Sequence, residues 1–188
     1  MNAIYRRLFL VFAATLVSGS AWAKSLGCFA TASTPAAALE SYWEWVPRAV
    51  KRDGVEQTVR AGVLHEDPSV PFLGTVTYIQ GITDSLCNHA ELFGRLHSEG
   101  IRVLAFDFLG QGGSTGELSS IDLDWISDQA QALWQAKART DGRWGTQRVQ
   151  LGWSLGGLSV YRDAFRGKVD AAIVVSPAIY PLILALIS

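Results

Sequence analysis

One short run constrains this chain more than any other: Gly152-Trp153-Ser154-Leu155-Gly156, followed by Gly157. An apolar stretch, Gln147 to Leu151, leads directly into it, and a helical pattern from Leu155 to Phe165 leads out. A chain passing from strand to helix within one residue must turn so tightly that its flanking positions lack bulk, which the glycines at 152, 156 and 157 satisfy. The turn pushes the Ser154 hydroxyl clear of the sheet edge and sets it at a helix N-terminus. There, free N–H groups and the helix dipole favour developing negative charge. Ser154 is the candidate nucleophile, and the Leu155 amide is the first candidate donor to an oxyanion.

The flanking pattern alternates strand and helix. Strands are expected over Val59–Leu64, Leu73–Ile79, Ile101–Phe106, Gln147–Leu151 and Val169–Val175. Helices are expected over Ser85–Ser98, Ile121–Ala138 and Leu155–Phe165. Ile101–Phe106 is continuously apolar, as a strand covered on both faces must be. The alternation predicts an α/β fold with a mostly parallel, doubly wound sheet. Ahead of it, Thr34-Pro35 reads as a helix start, and the helix is expected to run towards Trp45 and break at Pro47. Residues 24–56 are thus expected to form a helical extension, and 57–188 the α/β portion.

Two further segments bear on chemistry. Gln80-Gly81-Ile82 closes a strand, and Gly81 frees the backbone to turn the Ile82 amide inward as the second oxyanion donor; an ordinary strand-ending turn is the bland alternative. Asp107-Phe108-Leu109-Gly110-Gln111-Gly112-Gly113-Ser114 closes another strand. Asp107 is read as bracing this loop by accepting backbone hydrogen bonds, with Gly110, Gly112 and Ser114 shaping it.

Together the three segments resemble the α/β-hydrolase family, in its monoglyceride lipase, lysophospholipase and serine aminopeptidase-like branch. That branch carries H-G-x-x-x-H, D-x-x-G-x-G-x-S and G-H-S-x-G-G. Asp107, Gly110, Gly112 and Ser114 match the second pattern, and Gly152, Ser154, Gly156 and Gly157 the third. Gln80 and Trp153 replace histidines, neither of which is the family's base. The resemblance covers about Val59 to Pro177. It implies a serine hydrolase that forms an acyl-enzyme on Ser154, acts on a small-molecule acyl ester and needs neither metal nor organic cofactor. In this family an acid and a histidine follow the nucleophile. No histidine follows Ser154 here; His65, His89 and His97 all precede it. Asp163 and Asp170 come too soon after the serine to match the acid. The expectation is therefore a chain carrying the nucleophile half, with little turnover of its own. A binding protein on a hydrolase scaffold and an acyltransferase are the rival readings.

The amino terminus carries an export signature. Arg6 and Arg7 precede an apolar run, Leu8 to Val17, and Ala21-Trp22-Ala23 supplies the small-x-small pattern of signal peptidase sites. Cleavage after Ala23 and a secreted or periplasmic location follow as expectations, with no stable membrane span afterwards. Lipid attachment at Cys28 is disfavoured by Ser25 and Lys24. Export makes a disulfide between Cys28 and Cys87 permissible, with two buried thiols or outside partners as alternatives. The formal charge of −1 gives no electrostatic case for nucleic acid, and the 49% hydrophobic content can build a sizeable core. Oligomeric state is not encoded in any of these features.

Overall fold

The computed structural model describes residues 39–118, 122–145 and 147–177. The export segment, Cys28, the start of the helix expected at Thr34-Pro35 and the apolar stretch 178–188 lie outside them. Eight strands are described: β1 (Trp43–Trp45), β2 (Arg48–Arg52), β3 (Val55–Val59), β4 (Ala61–Leu64), β5 (Gly74–Ile79), β6 (Ile101–Phe106), β7 (Val149–Trp153) and β8 (Ala171–Val175). Three α-helices connect the later strands: α1 (Ala90–Ser98), α2 (Leu123–Ala138) and α3 (Leu155–Phe165).

Six strands form one sheet in the order β1-β4-β6-β5-β7-β8. The run β6-β5-β7-β8 is parallel, and β1 and β4 add antiparallel partners at one side. The expected mostly parallel α/β sheet is what forms. Side chains alternate between its faces. Val63, Ile79, Leu104 and Phe106 pack with Trp125, Ile126, Ala130 and Leu133 of α2 and Val160 of α3. Leu64, Tyr78, Val103, Ala105 and Leu151 pack on the other side with Phe93 of α1 and Leu86. Both faces of the central strands are covered, which explains why Ile101–Phe106 shows no polar alternation. Each fully buried Leu or Phe contributes roughly 1.5–3 kcal/mol.

Local chemistry sets the element ends. Asp122 caps α2 by accepting from the Trp125 amide at 2.7 Å, so this helix starts two residues later than its periodicity predicts. The Ser85 hydroxyl accepts from the Cys87 amide, and the segment it opens is a 3-10 turn (Leu86–His89) before α1 begins. Asp53-Gly54 takes left-handed conformations at both positions and folds β2 onto β3 as a hairpin.

From Trp43 onward the expected helical extension is corrected. Within the described residues only Glu40–Tyr42 forms a 3-10 turn, and Trp43–Trp45 is already the outermost strand of the sheet. The physical reason is tertiary. The rings of Trp43 and Trp45 stack at 5.0 Å, and both crowd the space that a side chain at Gly62 would take. This packing on β4 overrides helix propensity, so the sheet starts well before residue 57.

Candidate active site

β7 ends at Trp153 and α3 starts at Leu155, leaving Ser154 alone between them. Its backbone has φ 53° and ψ −116°, a conformation that non-glycine residues avoid. Its amide donates to the Val175 carbonyl of β8 at 3.1 Å, and its carbonyl accepts from the Leu158 amide at 3.0 Å. Ser154 is half-buried, whereas Trp153 before it is 45% exposed.

The neighbouring glycines are sterically required. A Cβ at Gly156 would lie 2.1 Å from the Ile79 carbonyl oxygen, and one at Gly152 would lie 2.4 Å from the Gly156 carbonyl oxygen. The first turn of α3 is thereby pressed against the end of β5. A Cβ at Gly157 would come 3.1 Å from the Gly152 oxygen, a tight approach that still demands small bulk.

That contact brings the strand-end loop to the serine. A Cβ at Gly81 would sit 3.2 Å from Ser154 Cβ, so the two segments named from sequence are adjacent in space. Ile82 follows, half exposed, and Thr83 takes φ 58°. Leu155 opens α3, so its N–H has no acceptor within its own helix. Neither the Leu155 nor the Ile82 amide donates to another backbone carbonyl among the described residues.

Asp107 is fully buried and does not touch Ser154. One oxygen accepts from the Leu86 amide at 2.9 Å; the other accepts from the Gly113 amide at 2.9 Å and from Arg60 Nε at 2.5 Å. A second Arg60 nitrogen, Nη2, pairs with the same oxygen and also donates to the Ser85 hydroxyl at 2.9 Å and to Cys87 Sγ at 3.1 Å. Gly112, at φ 54°, has no room for a Cβ beside this carboxylate, and Gly110, at φ 71°, has none beside the Leu118 amide. The Ser114 hydroxyl donates to the Asp107 carbonyl and accepts from the Arg60 amide. Arg60 thus joins the loop after β6 to the segment after β5, a role that the sequence does not announce. Its only signal was an arginine inside the apolar run Val59-Arg60-Ala61. Cys87 is disulfide-bonded, and Cys28 lies outside the described residues.

Each of the three histidine rings has a hydrogen-bond partner, and in no case is that partner Ser154. His65 Nε2 is 3.2 Å from Glu44 and His97 Nδ1 is 2.7 Å from the His65 carbonyl. His89 Nε2 lies 2.7 Å from Asp84 Oδ2 and 2.9 Å from the Tyr78 hydroxyl, in a cluster that the sequence did not suggest. Burial is the largest influence on Asp84 and opposes its ionisation. Hydrogen bonds from Asn88, the Ser85 amide and His89 outweigh it and hold the carboxyl below its usual value. Burial pushes the Tyr78 phenol up. Asp163 is buried and accepts from the Ser127 hydroxyl, while Asp170 pairs with Arg148. Among the described residues no group of three or more His, Cys, Asp or Glu side chains could hold a metal ion.

A serine in a strained strand-to-helix turn, at the carboxyl end of a mostly parallel sheet, defines an α/β-hydrolase scaffold. The chain belongs to the serine aminopeptidase S33 family, whose pattern its residues 71–185 match. Among solved structures it is similar to an esterase of Pyrococcus furiosus, at 21% identity and a TM-score of 0.57, covering 73% of this chain and 53% of that one. It is also similar to a lidless α/β serine hydrolase of Xanthomonas campestris, at 19% identity and a TM-score of 0.56, covering 71% and 62%. Est1E of Butyrivibrio proteoclasticus, solved with ferulic acid bound, gives 23% identity and a TM-score of 0.54, covering 72% and 55%. The chain therefore spans little more than half the length of these proteins. The comparison with curated proteins gives no match.

Proposed function

We propose that this chain is the nucleophile-bearing part of a serine hydrolase that cleaves small acyl esters through an acyl-enzyme on Ser154. The single observation that carries this reading is the strained Ser154 backbone, held by glycines that admit no side chain and set against Gly81. Such strain costs on the order of 1–3 kcal/mol, and a turn of this kind earns its keep by presenting a hydroxyl. In this reading Ser154 Oγ attacks the ester carbonyl carbon, and the Leu155 and Ile82 amides receive the negative oxygen. The exposed Trp153 and Ile82 side chains favour an apolar acyl group over a charged one. Export through the amino-terminal signature is part of the proposal.

Serine needs an acceptor for its proton. The three histidines are bonded elsewhere, so slow chemistry is expected of the 188-residue chain. The test is incubation with a fluorophosphonate followed by peptide mass spectrometry. Slow modification of Ser154 that disappears in Ser154→Ala is the expected result. Modification that persists in Ser154→Ala, or a parent chain that is never modified, overturns the proposal.

A further inference from the structure

The loop between Gly81 and Leu86 is held in a way that the family pattern does not account for. Thr83, a β-branched residue, takes φ 58°, and such a conformation persists only where its surroundings over-determine it. The surroundings are two buried glutamines. Gln80, at the end of β5, donates through Nε2 to the Asp84 carbonyl at 3.1 Å. Gln111, in the loop after β6, accepts through Oε1 from the Asp84 amide at 2.9 Å. Both polar groups of one peptide residue are therefore gripped by side chains from two central strands' ends.

The grip is costly. Gln80 is fully buried and Gln111 nearly so, yet Gln80 Oε1 and Gln111 Nε2 have no partner among the described residues. A buried amide atom left unpaired costs stability that an apolar side chain would not. What the two glutamines supply is position. With Gly81 seated against Ser154 and Asp84 clamped, only Ile82 and the strained Thr83 lie between.

We propose that Gln80 and Gln111 are positioning residues that clamp the Asp84 backbone and so fix the Ile82 amide beside Ser154; this rests on the hydrolase reading above for its chemical purpose. The outer hydrogen bonds of Asp84, from the Ser85 amide, Asn88 and His89, close the same loop on its far side.

Two measurements on the full chain test it separately. Hydrogen exchange by mass spectrometry reads the peptide spanning Ile82–Leu86, and fluorophosphonate kinetics read Ser154. In Gln111→Met and Gln80→Met, amide exchange in that peptide should rise about tenfold, the equivalent of one neutral hydrogen bond, while β6 amides stay unchanged. The maximal modification rate of Ser154 should fall by a similar factor, with the half-saturating probe concentration unchanged. If Gln111→Met does not fold, Gln111→Asn keeps the amide but loses the reach, and the same rise is expected. Loop exchange equal to the parent's overturns the clamp, as does a rate loss accompanied by exchange rising throughout the sheet. Faster loop exchange with no modification of Ser154 even in the parent upholds the clamp and removes the hydrolase reading.

Discussion

The Cα of Gly156 faces the carbonyl oxygen of Ile79 so closely that a methyl group there would sit 2.1 Å from it. That one approach locks the first turn of α3 to the end of β5, and with it the serine to the loop that follows β5. Gly156→Ala should therefore destabilise by about 3 kcal/mol, because the obstacle is backbone and not a flexible side chain. Urea denaturation measures it. An effect below about 1 kcal/mol means the contact is looser than described.

Ser154 separates two kinds of loss. Ser154→Gly removes the hydroxyl and relieves the positive-φ strain, whereas Ser154→Ala removes the hydroxyl and keeps the strain. Both variants should lose fluorophosphonate modification. The glycine variant should be more stable than the alanine variant by about 1–2 kcal/mol in chemical denaturation. Equal stability would mean the turn is unstrained.

The Asp107–Arg60 pair should show strong coupling. Asp107→Ala leaves a buried guanidinium without its carboxylate and the Leu86 and Gly113 amides without their acceptor, at a cost of about 3–5 kcal/mol. The double variant Asp107→Leu with Arg60→Met should lose markedly less than the sum of the single changes. A double-mutant cycle in urea reads this directly, and additive losses would contradict it.

Acid stability should depend on the carboxylates around Arg102, whose side chain is fully buried against Glu66 and Asp141. For Glu66 burial is the largest influence and pushes its carboxyl up, but the Arg102 hydrogen bond, its own backbone and the charges of Arg102 and Arg143 prevail and hold it low. Asp141 is held low first by the Arg143 amide, then by Arg102. A carboxylate with a depressed folded value adds stability above its unfolded value and loses it as pH falls through the folded one. The unfolding midpoint should thus be level down to about pH 5 and drop below it, and Arg102→Met should flatten that drop. Thermal melts across pH check the slope.

How much of this could be read in the residues follows from the range of the interactions involved. The strand-to-helix turn at Ser154 was legible because its requirement, small residues beside a strained serine, is local and written within six positions. The parallel strands were legible because burial on both faces leaves an apolar run such as Ile101–Phe106. The strand at Trp43–Trp45 is not legible locally, because it is held by β4, some twenty residues away in sequence. Arg60, Gln80 and Gln111 stayed hidden as loop supports, since nothing in their neighbours says that they meet Asp107 and Asp84 across the sheet end.

The hydrogen bond from the Ser154 amide to Val175 joins the strand-to-helix turn to β8, an outer strand of the described sheet. A shift in the register of β8 would take the acceptor away from that peptide group and so disturb the turn that carries Ser154.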